Sequence, residues 1–316
     1  MKKIVLIAIN LTHNTEFEKK SFHDQLLALG LSTIRAYNKA KQLHPDAYII
    51  VAWREYGVSN QLAVSQDNIH DFKELLSIVT DNRDLLIIAG SLISQKLVMV
   101  NANQEKIRAI KAAYDKYQFI KEIEYKNINS NLFVNYKAQF NQASLQAKFY
   151  NIKNTCYFFK QGAKVYRRSK IAPCEEVPKN KISPWAYTFK EQEFLFTLDA
   201  QSEITIGIEI CLEHSIGVLK HLIKDQGLKA PTIHIIIADS NTMVPENTCG
   251  DYTVRIDSDP DDAINFGKNL AAKNNFFYVY QFDPYQSNNQ LLKVIHPDNY
   301  DAPAPLTATL LTSACN

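Results

Sequence analysis

Three residues in this chain carry side chains suited to chemistry and stand where hydrophobic strands should end: Glu55, Lys170 and Cys211. Glu55 follows the apolar run Tyr48-Ile-Ile-Val-Ala-Trp53, Lys170 closes Lys164-Val-Tyr-Arg-Arg-Ser-Lys170, and Cys211 ends Ile204-Thr-Ile-Gly-Ile-Glu-Ile210. The rim of an α/β sheet is where such folds deliver reactive groups. A thiol is a strong nucleophile only as thiolate, which a neighbouring cation stabilises and a neighbouring carboxylate can generate. One acid, one cation and one thiol are a complete set for acyl transfer. Taken singly, each has an ordinary explanation: a solvated loop acid, part of a basic surface run, and a small buried hydrophobe.

The elements that would position them alternate. The run Ile4–Ile9 reads as a strand, Ser21–Gln42 as a helix, Tyr48–Trp53 as a strand, Asn68–Thr80 as a helix, and Leu85–Ala89 and Leu97–Val100 as two further strands before a helix near Glu105–Lys116. This is the order of an α/β fold, a sheet covered by helices. Cys156–Phe159, a Gln161-Gly162 turn and Lys164–Arg167 then read as a hairpin, which makes the sheet mixed. Strands at Phe194–Leu198, Ile204–Ile210, Thr232–Ala238 and Phe276–Tyr280 follow, with helices near Glu213–Asp225 and opening near Pro260-Asp261. With no internal repeat and no Gly-, Pro- or Ser-rich linker, residues 1–316 read as one domain with a core of about 3–296. The Asn- and Gln-rich stretch over about 117–150 has no clear period and reads as an insertion or lid.

Composition excludes several function classes. The chain has 316 residues, 46% of them hydrophobic, and 35 Lys+Arg against 33 Asp+Glu leave a net charge of only +2 with no basic tract, so nucleic acid is not an expected partner. Lys2 and Lys3 before Ile4–Ile9 imitate a signal peptide, but the run is short and lacks a cleavage site. No run approaches the roughly 18 residues of a membrane span, so a cytoplasmic protein without membrane contact is expected. Five cysteines, Cys156, Cys174, Cys211, Cys249 and Cys315, are too few and too scattered for a disulfide scaffold. The nine glycines form neither a dinucleotide fingerprint nor a phosphate loop, so no cofactor is expected. Asp257, Asp259, Asp261 and Asp262 lack the glycine and glutamate of a calcium loop, and Asp259 before Pro260 suits a helix cap better. His214, His221 and His234 show no carboxylate or cysteine at ligand spacing, so no metal is expected.

In order and local setting, these motifs resemble those of the nitrilase or carbon–nitrogen hydrolase superfamily. Its strand running into Pro-Glu has its counterpart in Trp53-Arg54-Glu55-Tyr56, with Arg54 in place of proline. Its hairpin ending in Arg-Lys has its counterpart in Asn154-Thr155 through Gly162 to Arg167-Arg168-Ser169-Lys170, with one serine interposed. Its Gly-x-x-x-Cys-x-Asp/Glu matches Gly207-Ile-Glu-Ile-Cys211-Leu-Glu213. Ala89-Gly90-Ser91 and Lys273-Asn274 are fainter echoes, and the likeness runs from about Ile4 to Ile295.

The resemblance implies a four-layer αββα sandwich of the nitrilase type with mixed sheets, able to pair with a second copy, and a Glu-Lys-Cys triad of Glu55, Lys170 and Cys211. It implies hydrolysis of a non-peptide C–N bond of a small molecule, an amide or ureide or a nitrile, through an acyl-cysteine. The Leu212 N–H would face the oxyanion beside Lys170. A second glutamate in the loop after the lysine would support it, with Glu175 and Glu176 as candidates, and Glu213 would support the cysteine. Members commonly form homodimers through helices flanking the cysteine, and Ile216, Leu219, Leu222 and Ile223 give such a helix an apolar face, although covering the sheet explains that face equally well. Rival functions are acyl transfer through the same triad and a catalytically silent binding protein, which Arg54 and Ser169 would permit.

Overall fold

The computed structural model describes residues 3–9, 15–58, 63–127, 132–174, 176, 184–199, 203–258, 264–269, 276–284 and 290–294. The chain begins with β1 (Ile4–Ile9), α1 (Thr15–Glu18), α2 (Phe22–Leu43), β2 (Tyr48–Ala52), α3 (Gln66–Thr80) and β3 (Leu85–Met99). Three helices follow, α4 (Gln104–Lys116), α5 (Phe119–Asn127) and α6 (Leu132–Ser144), then β4 (Lys148–Lys160), β5 (Ala163–Ser169), β6 (Trp185–Tyr187) and β7 (Leu195–Asp199). The remainder is β8 (Ile204–Ile210), α7 (Leu212–Ser215), α8 (Val218–Gln226), β9 (Ile233–Ile237), β10 (Tyr252–Ile256), β11 (Ile264–Lys268), β12 (Phe277–Phe282) and β13 (Leu291–Lys293).

The expected α/β class with mixed sheets is what forms. One sheet runs β13-β12-β1-β2-β3-β4-β5, with β6 beside β4, and the other runs β11-β10-β9-β8-β7. β12, β1, β2 and β3 are parallel, as are β8, β9 and β10; β13, β4, β5, β7 and β11 pair antiparallel with their neighbours, and β6 pairs parallel with β4. β1, β2 and β9 are buried along their whole length because both sheet faces are covered, which is why they read as apolar runs, broken only by His234 in β9. Leu6, Ile50, Ile88 and Phe158 of the first sheet meet Ile206, Ile208, Ile235 and Val254 of the second. On the first sheet's other face, Val5, Val51 and Ile87 pack on Leu29 of α2 and Phe72 and Leu76 of α3. α8 covers the second sheet so closely that a Cβ on Gly207 would lie 2.6 Å from Leu219. The layers are therefore helix, sheet, sheet, helix.

Local chemistry explains the boundaries. Ser21 and Ser65 cap α2 and α3 by accepting from the Asp24 and Asn68 N–H groups. Gln161 and Gly162, both at positive φ, make the tight turn between β4 and β5.

Four expectations change. The two strands read at 85–89 and 97–100 are one, since the irregularity between Ile88 and Ser91 is a bulge at Gly90 rather than an end. The helix expected over 213–225 breaks at Gly217, whose φ of +67° separates α7 from α8. The stretch at 117–150 contains α5, α6 and the start of β4; Phe133, Tyr136, Phe140 and Ala143 recur at helical spacing among polar residues and are buried against Phe149, Ile152 and Tyr187. The helix expected from Pro260-Asp261 is replaced over Ile264–Lys268 by β11, which pairs with β10; the Asp259 cap itself lies outside the described residues. The apolar face carrying Ile216, Leu219 and Leu222 is buried within the chain, as covering the sheet requires.

Candidate active site

Glu55, Lys170 and Cys211 come together between the two sheets, each from a different strand end. Glu55 lies three residues beyond β2, and its backbone is held by a bridge to Ser91. The β3 bulge makes that position possible: Gly90 has φ of +63°, and a Cβ there would stand 2.1 Å from the Arg54 carbonyl oxygen. Only glycine lets β3 approach the Arg54-Glu55 backbone this closely. The Glu55 side chain is fully buried; its Oε1 accepts from Asn154 Nδ2 at 2.9 Å and Lys170 Nζ at 3.2 Å, while Oε2 has no hydrogen-bond partner among the described residues. Burial is the main force on its pKa, and with the nearby charges of Glu176 and Asp239 it outweighs Lys170, raising the carboxyl to about 7.

Lys170, at the end of β5, is bound on both sides. Its ammonium lies 2.8 Å from Glu176 Oε1 and 3.2 Å from Glu55 Oε1, and its backbone is fixed by its own N–H to Asn154 O and by Tyr187 Oη donating to its carbonyl. Burial alone would depress this lysine, yet Glu176 and Glu55 hold it well above its ordinary value, so it is charged. Asn154 Nδ2 also reaches Glu176 Oε1 at 3.1 Å and thereby spans both carboxylates. Glu176, one of the two glutamates expected to support the lysine, stands at its side, with its other oxygen accepting from the Cys174 N–H; Glu175 lies outside the described residues.

Cys211 sits on a sharp turn. Its φ of 51° and ψ of −111° are strained for a residue with a Cβ, at a penalty of roughly 1–3 kcal/mol. The turn is over-determined by Cys211 N donating to Ile237 O, Asn241 Nδ2 donating to Cys211 O and His214 N donating to the same carbonyl. The strain lifts the sulfur from the end of β8, half-buried, to within 3.9 Å of Asp239 O. Burial pushes this thiol well above its ordinary value and the Glu55 charge adds to that, outweighing Lys170. The cation therefore does not leave a standing thiolate. Leu212 opens α7, so its N–H has no acceptor inside the helix.

Glu213 is a strap between two of these strand ends. Fully buried, it accepts from the Ile210 N–H at 2.9 Å, from the Ile171 N–H at 2.6 Å and from the Arg168 guanidinium, so it ties the cysteine turn to the residue beside Lys170. Arg54, where proline was expected, turns to Asp239 Oδ1 at 3.0 Å and closes the cluster on the side of the β9 loop. Ser169, the interposed residue, faces the other way, with its hydroxyl 3.1 Å from Thr155 Oγ1.

Asn154 as a bridge, and Asp239 and Asn241 as part of the cysteine's surroundings, were not anticipated. The signal was available for the latter pair, since Ala238-Asp239-Ser240-Asn241 follows an Ile-rich strand just as Cys211 does. A second cluster was also missed. Glu209, His214 and His234 are fully buried, with the carboxylate 2.9 Å from His214 Nδ1 and 3.0 Å from His234 Nε2, so a carboxylate does stand at ligand spacing. Its atoms are already engaged: His214 Nε2 accepts from the Val244 N–H, His234 Nδ1 lies 3.6 Å from Cys249 Sγ, and Glu209 Oε1 accepts from the Leu219 N–H. Burial pushes Glu209 up, but the hydrogen bonds from both histidines prevail and hold it down at about 2. The cluster braces α7 and α8 against β8 and β9.

No family model and no curated protein matches the chain. Among solved structures it is similar to the glutamine-dependent NAD+ synthetase from Acinetobacter baumannii in complex with adenosine diphosphate, at 12% identity and a TM-score of 0.40 over 75% of this chain and 35% of that one. It is likewise similar to a glutamine-dependent NAD(+) synthetase from Cytophaga hutchinsonii, at 12% identity and a TM-score of 0.39 over 81% of this chain and 36% of that one. The chain thus spans about a third of these proteins' length. Among the described residues no helix is long and apolar enough to cross a membrane.

Proposed function

We propose that this chain is a carbon–nitrogen hydrolase of the nitrilase type, acting on a non-peptide amide, ureide or nitrile of a small molecule through an acyl-cysteine. The observation carrying this reading is the meeting of one buried carboxylate, one buried ammonium and one thiol on a strained turn. Glu55 would accept the Cys211 proton as sulfur attacks the carbonyl or nitrile carbon. With its pKa near 7, the carboxyl is poised to take a proton at neutral pH and return it. The Lys170 ammonium and the Leu212 N–H would stabilise the negative charge developing on the attacked group. For an amide, the amine would leave with the proton held by Glu55; water, deprotonated by the same carboxylate, would then release the acyl group from sulfur. Glu176 and Asn154 would position Lys170 and Glu55 rather than touch the reacting atoms.

The test is to screen amides, ureides and nitriles and trap the intermediate. Cys211→Ala should abolish turnover with the fold intact, and mass spectrometry of the wild type with a slow substrate should find the acyl adduct on the Cys211 peptide. An adduct on Cys174, or full activity in the variant, would refute the assignment.

A further inference from the structure

On the face of β3, β4 and β5 turned away from Cys211 lies a strongly cationic cleft of about 270 Å³. Strand alternation creates it. Asn154 points between the sheets toward Glu55, so Lys153 and Thr155 point the opposite way. The strand register sets Ser94 of β3 beside Lys153, Lys96 beside Asn151, and Ser169 and Arg167 of β5 beside Thr155 and Tyr157. Lys73 of α3, Lys106 of α4 and Lys190 complete the walls. Six cations, Lys73, Lys96, Lys106, Lys153, Arg167 and Lys190, thus surround one small space. None forms an ion pair with a described carboxylate, and the lining carboxylate, Glu191, is bonded to Lys116.

We propose that this cleft binds a compact polyanion of the phosphate class, a di- or triphosphate group, at a place separate from the reacting thiol. A chain with a net charge of only +2 has no general excess of cations, so six around one cleft is a local concentration. Left empty, it is self-repelling: burial depresses the Lys153 ammonium, and Lys106, Lys190 and Arg167 depress it further, to about 8. Lys106 is lowered by burial and by Lys96 and Lys190, and Lys73 by burial and by Lys164 and Arg167. Lysines act on phosphate as point charges, the Arg167 guanidinium can engage two oxygens, and the Ser94 and Thr155 hydroxyls add neutral donors. The volume admits a pyrophosphate and not a folded macromolecule. Because Asn154 and Lys170 alternate along the chain with Lys153, Thr155 and Ser169, an anion there would grip the same strands that hold the reactive cluster.

The experiment is calorimetric titration of the full chain with inorganic pyrophosphate at about 0.15 M salt, where weak surface attraction is screened. Saturable binding to one site is expected, weakened at least about tenfold in Lys153→Met and in Lys106→Gln, and unchanged in Lys3→Gln/Lys293→Gln, both beside Tyr278 of β12 and separated from the cleft's strands by β1 and β2. Near pH 8, binding should take up protons, read from titrations in buffers of different ionisation enthalpy, because a bound anion raises the Lys153 pKa. Without ligand, Lys153→Met should melt no lower than the wild type, since it relieves repulsion; the exposed Lys96→Gln, which cannot disturb packing, supplies the same affinity test independently. Absence of saturable binding, equal weakening in the control pair, or tighter binding of citrate than of pyrophosphate would overturn the proposal.

Discussion

Glu55→Gln should separate the chemistry of this site from its stability and make the protein more stable where it is least active. Glu55 has an ordinary value of 4.5 and is raised to about 7 in the fold, with burial as the leading cause. The unfolded chain therefore ionises first as pH rises. Below pH 4.5 both states hold the proton and Glu55 contributes no difference. Between 4.5 and 7 the folded state falls behind, and above 7 the deficit is constant. At about 1.4 kcal/mol for each pH unit between the two values, ionised Glu55 destabilises the fold by about 3 kcal/mol. Glutamine keeps an oxygen for Asn154 Nδ2 and Lys170 Nζ and leaves Lys170 neutralised by Glu176. Urea unfolding of wild type and variant across pH 4 to 9 should show curves that nearly coincide at the acid end and part by up to about 3 kcal/mol in favour of Glu55→Gln above pH 7, while kcat falls by roughly two or more orders of magnitude. A stability difference independent of pH, or a variant less stable at pH 8, would refute the reasoning.

Lys170→Met should lower kcat by roughly two or more orders of magnitude and, by leaving Glu55 and Glu176 together without a cation, lower stability in urea more at pH 8 than at pH 5. Glu213→Gln should lower unfolding free energy by roughly 3–5 kcal/mol by stranding buried Arg168, and kcat with it; a Tm within a degree of wild type would show that the strap is dispensable. We also propose that the chain forms a homodimer, so light scattering at micromolar concentration should give about twice 36.0 kDa; a fully active 36.0 kDa species would overturn this.

How far these features could be read from the amino acids depended on how local their causes are. β1, β2, β8 and β9 were legible because burial fills them with apolar residues, interrupted only by Thr205, Gly207 and Glu209 in β8 and His234 in β9, and the residues just beyond such runs gave Glu55 and Cys211 away. α6 was not legible, because its buried aromatics are spaced among Asn and Gln and its core partners lie on β4 and β6. Neither was the break at Gly217, where helical spacing continues while the backbone turns. Placing Glu176 beside Lys170 needed the loop's path, which spacing along the chain does not give. The Glu209-His214-His234 brace joins β8, α7 and β9, so no spacing within one element announces it.

The turn at Cys211 also sets stability against chemistry. A backbone at φ of 51° is comfortable for glycine and uncomfortable for cysteine. A fold retained solely as a binding scaffold gains nothing from a sulfur there, and drift toward glycine would stabilise it at a single codon's change. Cys211→Gly should accordingly exceed Cys211→Ala in melting temperature. Under the proposed function, the strain at this turn is the stability cost of presenting the thiol, and Cys211→Gly exchanges that thiol for a relaxed backbone.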